Sequence, residues 1–160
     1  MRFELRLPRK LTVRAQRRKL VLLKRAGESE RHVLLKALVF GLYAASYPEL
    51  AVETAIGKRY KPDLVALDAY GQPIFWAECG EIGRAKIVHL VRAYPNTHLV
   101  IAKQTSSLDP YLAIARTARP IKERTAPVEF LNFPADAHRF LRSDGEIVVS
   151  FADCERVVLE

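Results

Sequence analysis

The chain has 160 residues, 49% hydrophobic and 28% charged, with a formal net charge of +8. That composition excludes wholesale disorder, and the length fits one domain that can bury roughly two thirds of its unfolded surface without a disulfide or metal staple. Its two cysteines, Cys79 and Cys154, form no CxxC pair, which excludes a zinc ribbon and a disulfide framework. A reducing, cytoplasmic setting is expected. No apolar run has signal-peptide length or approaches 18 residues, so neither an export leader nor a membrane span is expected.

The charge is one-sided. Residues 1–36 hold 12 Lys and Arg against Glu4, Glu28 and Glu30, whereas residues 37–160 carry 14 basic and 15 acidic residues. A basic field of this kind suits a polyanion. Arg14, Arg17, Arg18 and Lys19 are the expected nucleic-acid contacts, and replacing them should flatten the salt dependence of binding. The same residues also read as an ordinary solvated surface.

In chain order, Phe3 to Leu7 alternates at period two and predicts a strand, ended by Pro8. Lys19 to Lys24, around Leu20-Val21-Leu22-Leu23, predicts its hairpin partner, so residues 1–25 are expected to form a basic hairpin. Residues 9–18, mostly polar and basic, read as the connection. Ser29 is a suitable N-cap, and Val33, Leu34, Ala37, Leu38, Gly41, Leu42 and Ala45 recur at helical spacing up to Pro48. A helix so apolar must pack across a sheet. Strands are expected at 51–56, 63–68 and 74–79, with a turn at 69–72. A helix at 84–94 and the buried strand 98–102 (HLVIA) follow. A helix at 108–119, a strand at 128–133, a helical turn at 136–141 and a last strand at 147–151 complete the chain. The order predicts a single α/β domain over 1–160, a mixed sheet flanked by helices, with a parallel crossover into HLVIA.

Asp63 opens one strand after Pro62, and Glu78 nears the end of the next. The midpoint between them falls in the turn at Tyr70 and Gly71, so strand geometry puts both carboxylates at one level on neighbouring strands. Two such charges repel unless a proton or cation lies between them, and Mg²⁺ is a hard cation that takes oxygen ligands. Two unrelated acids at strand ends are the plainer alternative.

The run Lys-Pro-Asp-Leu-Val, a hairpin, then Phe-Trp-Ala-Glu-Cys-Gly before a basic helix resembles the core of the PD-(D/E)XK nuclease superfamily. With Glu-Ser-Glu-Arg before the apolar helix, the resemblance narrows to the YaeQ-like family and covers roughly residues 1–115. It implies a restriction-endonuclease-like fold and a phosphodiesterase site using Mg²⁺ or Mn²⁺. In that site Asp63, Glu78 and the Cys79 carbonyl would be ligands, joined by Glu30 directly or through water. The superfamily's lysine two residues after the glutamate is absent; Gly80 stands there. Lys86 is the expected replacement, with Arg84 next. If Lys86 reaches the carboxylates, a nuclease acting on DNA or RNA is the preferred function. The alternative is a catalytically inactive nuclease fold that binds nucleic acid or protein. Nucleic acid is the expected partner, and a homodimer is admitted.

The four histidines show no metal-ligand spacing and read as structural. Trp76 reads as core. Cys79 lacks a sequence-adjacent histidine and is not expected to be a nucleophile. Tyr43, Tyr47 and Tyr60 read first as helix-end packing.

Overall fold

The computed structural model describes residues 5–15, 17–118 and 120–160. Alternation builds the first element, β1 (Lys10–Ala15): Leu11, Val13 and Ala15 turn inward while Arg14 stays in solvent. It pairs antiparallel with β2 (Arg18–Leu23), Ala15 directly opposite Arg18, and Arg17 takes the left-handed φ of 65° that a tight turn demands. The first strand of the hairpin and its turn therefore lie in the segment expected to be a connection, while β2 falls on the expected second strand. Residues 5–8 form no strand, and Phe3 and Glu4 lie outside the described residues. Leu7 instead donates its amide to the Glu30 carboxylate, which takes this segment out of the hairpin.

The helix α1 (Glu30–Tyr43) begins as expected, with Ser29 accepting from the His32 amide at 3.1 Å. Residues 33–40 are all buried because α1 is covered on two sides, by the sheet beneath and the hairpin above.

Six strands form one sheet in chain order: β3 (Ala51–Val52), β4 (Leu64–Leu67), β5 (Pro73–Cys79), β6 (His98–Lys103), β7 (Val128–Asn132) and β8 (Glu155–Leu159). β5, β6 and β7 run parallel and the other neighbours antiparallel. The crossovers carry α2 (Arg84–Ala93) and α3 (Asp109–Ala118). Two successive crossovers of one hand, stepping in one direction, put both helices on the same face. Trp76, Leu99, Ile101, Val128 and Phe130 meet them there, while Phe75, Ala77, Val100 and Leu131 meet α1 on the other.

The expected mixed α/β architecture is present, and three boundaries differ. β3 stops at Val52, because Glu53 adopts a left-handed φ of 54° and turns its carboxylate toward Lys36 and Arg25. Residues 147–151 are not a strand: Ile147 makes only an isolated bridge to Leu141, and its amide is taken by Arg14 of the hairpin. The sheet is closed instead by Glu155–Leu159, whose alternation of exposed and buried residues fits an edge strand.

The hairpin is fastened at Gly145, which has φ 91° and whose carbonyl accepts from the Arg14 amide at 2.9 Å. A Cβ there would lie 2.6 Å from the Thr12 carbonyl oxygen, whereas at Gly71, also at positive φ, it would meet open space. Gly71→Ala should cost about 1–2 kcal/mol, the ordinary left-handed penalty. Gly145→Ala should cost about 3 kcal/mol or more, because backbone must also move. Urea unfolding of the two variants checks this; equal losses would show that the hairpin yields freely.

Candidate metal centre and nucleic-acid interface

The antiparallel register sets Leu64 against Ala77, which places Asp63 opposite Glu78 at the ends of β4 and β5. Both line a cleft of about 660 Å³, shared with Glu28, His32, Gly80 and Lys86. Glu78 is 5% exposed. Two carboxylate charges about 4 Å apart repel by about 4 kcal/mol at an effective dielectric of about 20, so their partners decide whether the pair is tolerable.

Glu78 Oε1 accepts from the Trp76 indole at 2.9 Å and from Lys86 Nζ at 2.9 Å. Trp76 is two residues back on β5 and therefore on the same face. Asp63 Oδ2 accepts from the Cys79 amide at 2.8 Å, and Oδ1 faces His32 Nε2 at 3.2 Å. Burial and the neighbouring Asp63 charge push the Glu78 carboxyl up to about 7, against the pull of Trp76 and Lys86. Burial acts on Asp63 in the same direction, but the His32 and Cys79 hydrogen bonds outweigh it and hold Asp63 below its ordinary value. The two environments thus push the neighbouring carboxyls apart, so that Glu78 takes up a proton more readily than Asp63.

Lys86 sits in the first turns of α2, which starts after Gly83, a cap residue with no side chain to offer. Its Nζ also lies 5.2 Å from the centre of the Tyr60 ring. Gly80 has φ 86°, and its carbonyl accepts from the buried Lys103 Nζ at 2.6 Å. That bond fixes the turn from β5 into α2.

Glu30 does not line the cleft. It pairs with Lys24 Nζ at 2.5 Å and accepts from the Leu7 amide at 2.7 Å. An α-helix turns about 100° per residue, so Glu30 and His32, two positions apart, face nearly opposite ways. His32 is the α1 residue that meets the pair. Its other ring nitrogen is 2.8 Å from Glu28 Oε2, and Asp63 raises its pKa against the opposing effect of burial. Behind it Lys36, 1% exposed, reaches Glu28 at 2.5 Å and Glu53 at 2.7 Å. Sequence reasoning missed this row, although His32 and Lys36 stand four apart on one helical face with Glu28 just ahead of the cap, and a lysine inside an apolar helix is itself a signal.

The four predicted hairpin cations do not converge on the cleft. Arg18 is committed internally, donating to the Tyr47 and Leu50 carbonyls at 3.3 and 2.8 Å and covering the Phe40 ring. Arg14 donates to the Asp144 carbonyl at 3.3 Å. Arg17 and Lys19 are exposed at the hairpin tip. That tip lies beyond the C-terminal end of α1, about 20 Å of helix from the cleft at its start.

Among the described residues no three of His, Cys, Asp and Glu converge on a point that would hold a metal ion. Two neighbouring carboxylates with a strand-end backbone beside them are nevertheless a hard oxygen set of the kind Mg²⁺ accepts, since it keeps several waters and needs few protein ligands. Cys79 takes part through its backbone; its thiol is fully buried, and burial pushes its pKa well up. His98 belongs to a separate network at the far end of α1. There Glu129 accepts from His98 at 2.7 Å, Tyr43 at 2.7 Å and Arg156 at 3.0 Å, and Tyr47 meets the other His98 nitrogen at 2.8 Å.

No protein-family profile matches the chain, and no curated protein matches it. Solved structures share its fold, among them two YaeQ proteins. The YaeQ protein from Pseudomonas syringae aligns with a TM-score of 0.58 at 17% identity, over 88% of this chain and 78% of that one. The YaeQ protein from Xanthomonas axonopodis pv. citri aligns with a TM-score of 0.53 at 18% identity, over 77% and 71%. The chain has the fold of these YaeQ structures. Among the described residues, no helix is long and apolar enough to cross a membrane.

Because Glu78 holds its proton more tightly folded than unfolded, its contribution to stability is present at low pH and is lost as pH rises from about 4.5 through about 7. Glu78→Gln, uncharged throughout, should therefore melt about 2–6 °C above the parent at pH 8 with chelator present, and the gap should close at pH 5. Thermal melts at the two pH values check this. A parent melting higher at pH 8 would show that Lys86 alone balances the Glu78 charge.

Proposed function

We propose that this chain is a YaeQ-like phosphodiesterase of the PD-(D/E)XK type, cleaving nucleic acid with a divalent cation. The observation that carries the reading is the facing pair of Asp63 and Glu78 with the Lys86 ammonium 2.9 Å from Glu78. Asp63, Glu78 and the Cys79 carbonyl are the residues that would hold Mg²⁺ or Mn²⁺. Such a cation would supply Lewis-acid polarisation of the phosphodiester and acidification of a water.

The chain's own groups do the rest. His32 and the Cys79 amide orient Asp63, and Trp76 orients Glu78. Lys86, carried by the first turns of α2, puts positive charge beside the strand end where Gly80 has none to offer. The amides at the start of α2 add a partial positive charge for a phosphate oxygen.

The test is cleavage of supercoiled plasmid, single-stranded DNA and RNA with Mg²⁺ or Mn²⁺, against chelator. Asp63→Asn and Glu78→Gln should each lose at least about 100-fold, the equivalent of about 3 kcal/mol of transition-state stabilisation. Lys86→Ala should lose about 10–100-fold, with Lys86→Arg retaining more than Lys86→Ala. Failure of the parent to cleave any of the three substrates with either metal would leave the catalytically silent binding fold as the better reading.

A further inference from the structure

The segment that delivers Asp63 to the cleft reads Ile56-Gly57-Lys58-Arg59-Tyr60-Lys61-Pro62. It carries three cations and no acid, yet it lies outside the N-terminal block that dominates the net charge. Ile56 and Tyr60 are half-buried against the apolar cluster beneath α2, and Pro62 is buried. These anchors leave Lys58, Arg59 and Lys61 exposed. Among the described residues Lys58 has no ion-pair partner, and the only carboxylate near Lys61 is Glu53, at 3.8 Å. Glu53 is already shared by Lys36 and Arg25. An exposed pair at that distance is worth well under 1 kcal/mol and yields readily to a phosphate.

The loop is joined to the carboxylates through one ring. The Arg59 guanidinium lies 5.3 Å from the Tyr60 centroid, Lys86 Nζ lies 5.2 Å from the same centroid, and His89 packs edge-on against it at 5.3 Å. Arg59 and Lys86 thus meet the same ring, and Lys86 reaches Glu78 of the carboxylate pair, with Lys58 next to Arg59 in the exposed loop. The hairpin tip, by contrast, lies the length of α1 away, and Arg18 is spent on internal carbonyls.

We infer that the loop 57–61 is the nucleic-acid interface of this chain: Lys58, Arg59 and Lys61 receive successive phosphates of a strand and lead it over Tyr60 to Lys86. The inference rests on the phosphodiesterase reading for the direction of the strand, and it relocates the contact surface from the hairpin to this loop.

The experiment is fluorescence anisotropy of a labelled 20-nucleotide single-stranded DNA with the full chain, in chelator, from 50 to 300 mM KCl. Each phosphate neutralised on a single strand contributes about 0.7 to the slope of log affinity against log salt. The triple variant Lys58→Ala/Arg59→Ala/Lys61→Ala should therefore lose about 2 units of slope, while Arg17→Ala/Lys19→Ala at the hairpin tip should lose less than about 1. Lys58→Glu, at an exposed unpaired position, should weaken binding at least several-fold; it keeps the test decisive should the triple variant fold poorly. A larger loss from the hairpin variant, unchanged affinity for both loop variants, or no binding by the parent at 50 mM KCl would overturn the inference. Because the assay contains no divalent cation, it separates the two claims. A parent that binds through the loop but cleaves nothing refutes the phosphodiesterase alone. A parent that cleaves, with KM unchanged in the loop variants, refutes the interface alone.

Discussion

Two carboxyl groups side by side at the ends of β4 and β5, Glu78 buried and Asp63 half-buried, are the constraint around which the rest of this molecule is arranged. Left alone they would destabilise the sheet at its most crowded end. Every layer supplies something to make them tolerable: α1 gives His32, α2 gives Lys86, and β5 itself gives the Cys79 amide and the Trp76 indole. Trp76 serves twice, filling the α2–α3 core and donating one hydrogen bond where the core ends. The pair therefore depends on compensation from three layers at once, and loss of any one of these partners would leave a buried charge less well balanced.

The compensation continues behind the cleft and explains why α1 tolerates charge in a dry position. Burial works to lower the Lys36 pKa, but Glu28 and Glu53 more than offset it and hold the pKa above the ordinary lysine value. Glu28 also holds His32, so the first turns of α1 are tied to Asp63 by an unbroken row of alternating charge. At the other end Tyr43 and Tyr47 bind Glu129 and His98 on the sheet. There burial of Glu129 is overcome by His98, Arg156 and Tyr43, which bring its pKa down to about 2. The helix is thus fixed at both ends by polar networks, with an apolar middle. Slippage along its axis would break both sets of bonds together, and this holds the orientation of His32 over the cleft.

Much of this was legible in the sequence where the signal was strong and local. The apolar periodicity of α1, the run HLVIA and the β4–β5 hairpin all have the expected places. Counting residues to the turn set Asp63 against Glu78 correctly, because the bulge between Ala66 and Leu67 lies on the turn side of the Leu64–Ala77 pair. What was hidden has physical reasons. β1 carries few large apolar residues among its cations, and β8 is an edge strand with only one fully buried residue. Glu30 and His32 both sit in the first turn of α1, and only the rotation of the helix decides which of them meets Asp63. Net charge counted along the chain overweighted the hairpin, because ion pairs with Glu30 and Glu53 and carbonyls near Tyr47 occupy several of its cations.

The strand order bears on how the chain reaches this structure. Each of the six sheet strands lies beside its neighbour in sequence. From β3 to β7 every pairing therefore closes one loop or one helical crossover, so this part of the sheet can assemble stepwise with little loop-closure entropy at each step, whereas β8 joins across the long segment 133–154. The fastening of β1 to residues 145–147 is the opposite case, since it joins segments about as far apart as the chain allows. By contact order alone the β3–β7 part of the sheet would form early and the hairpin would dock late. Exposure of the α1 surface beneath the hairpin would then persist until the two ends of the chain have met.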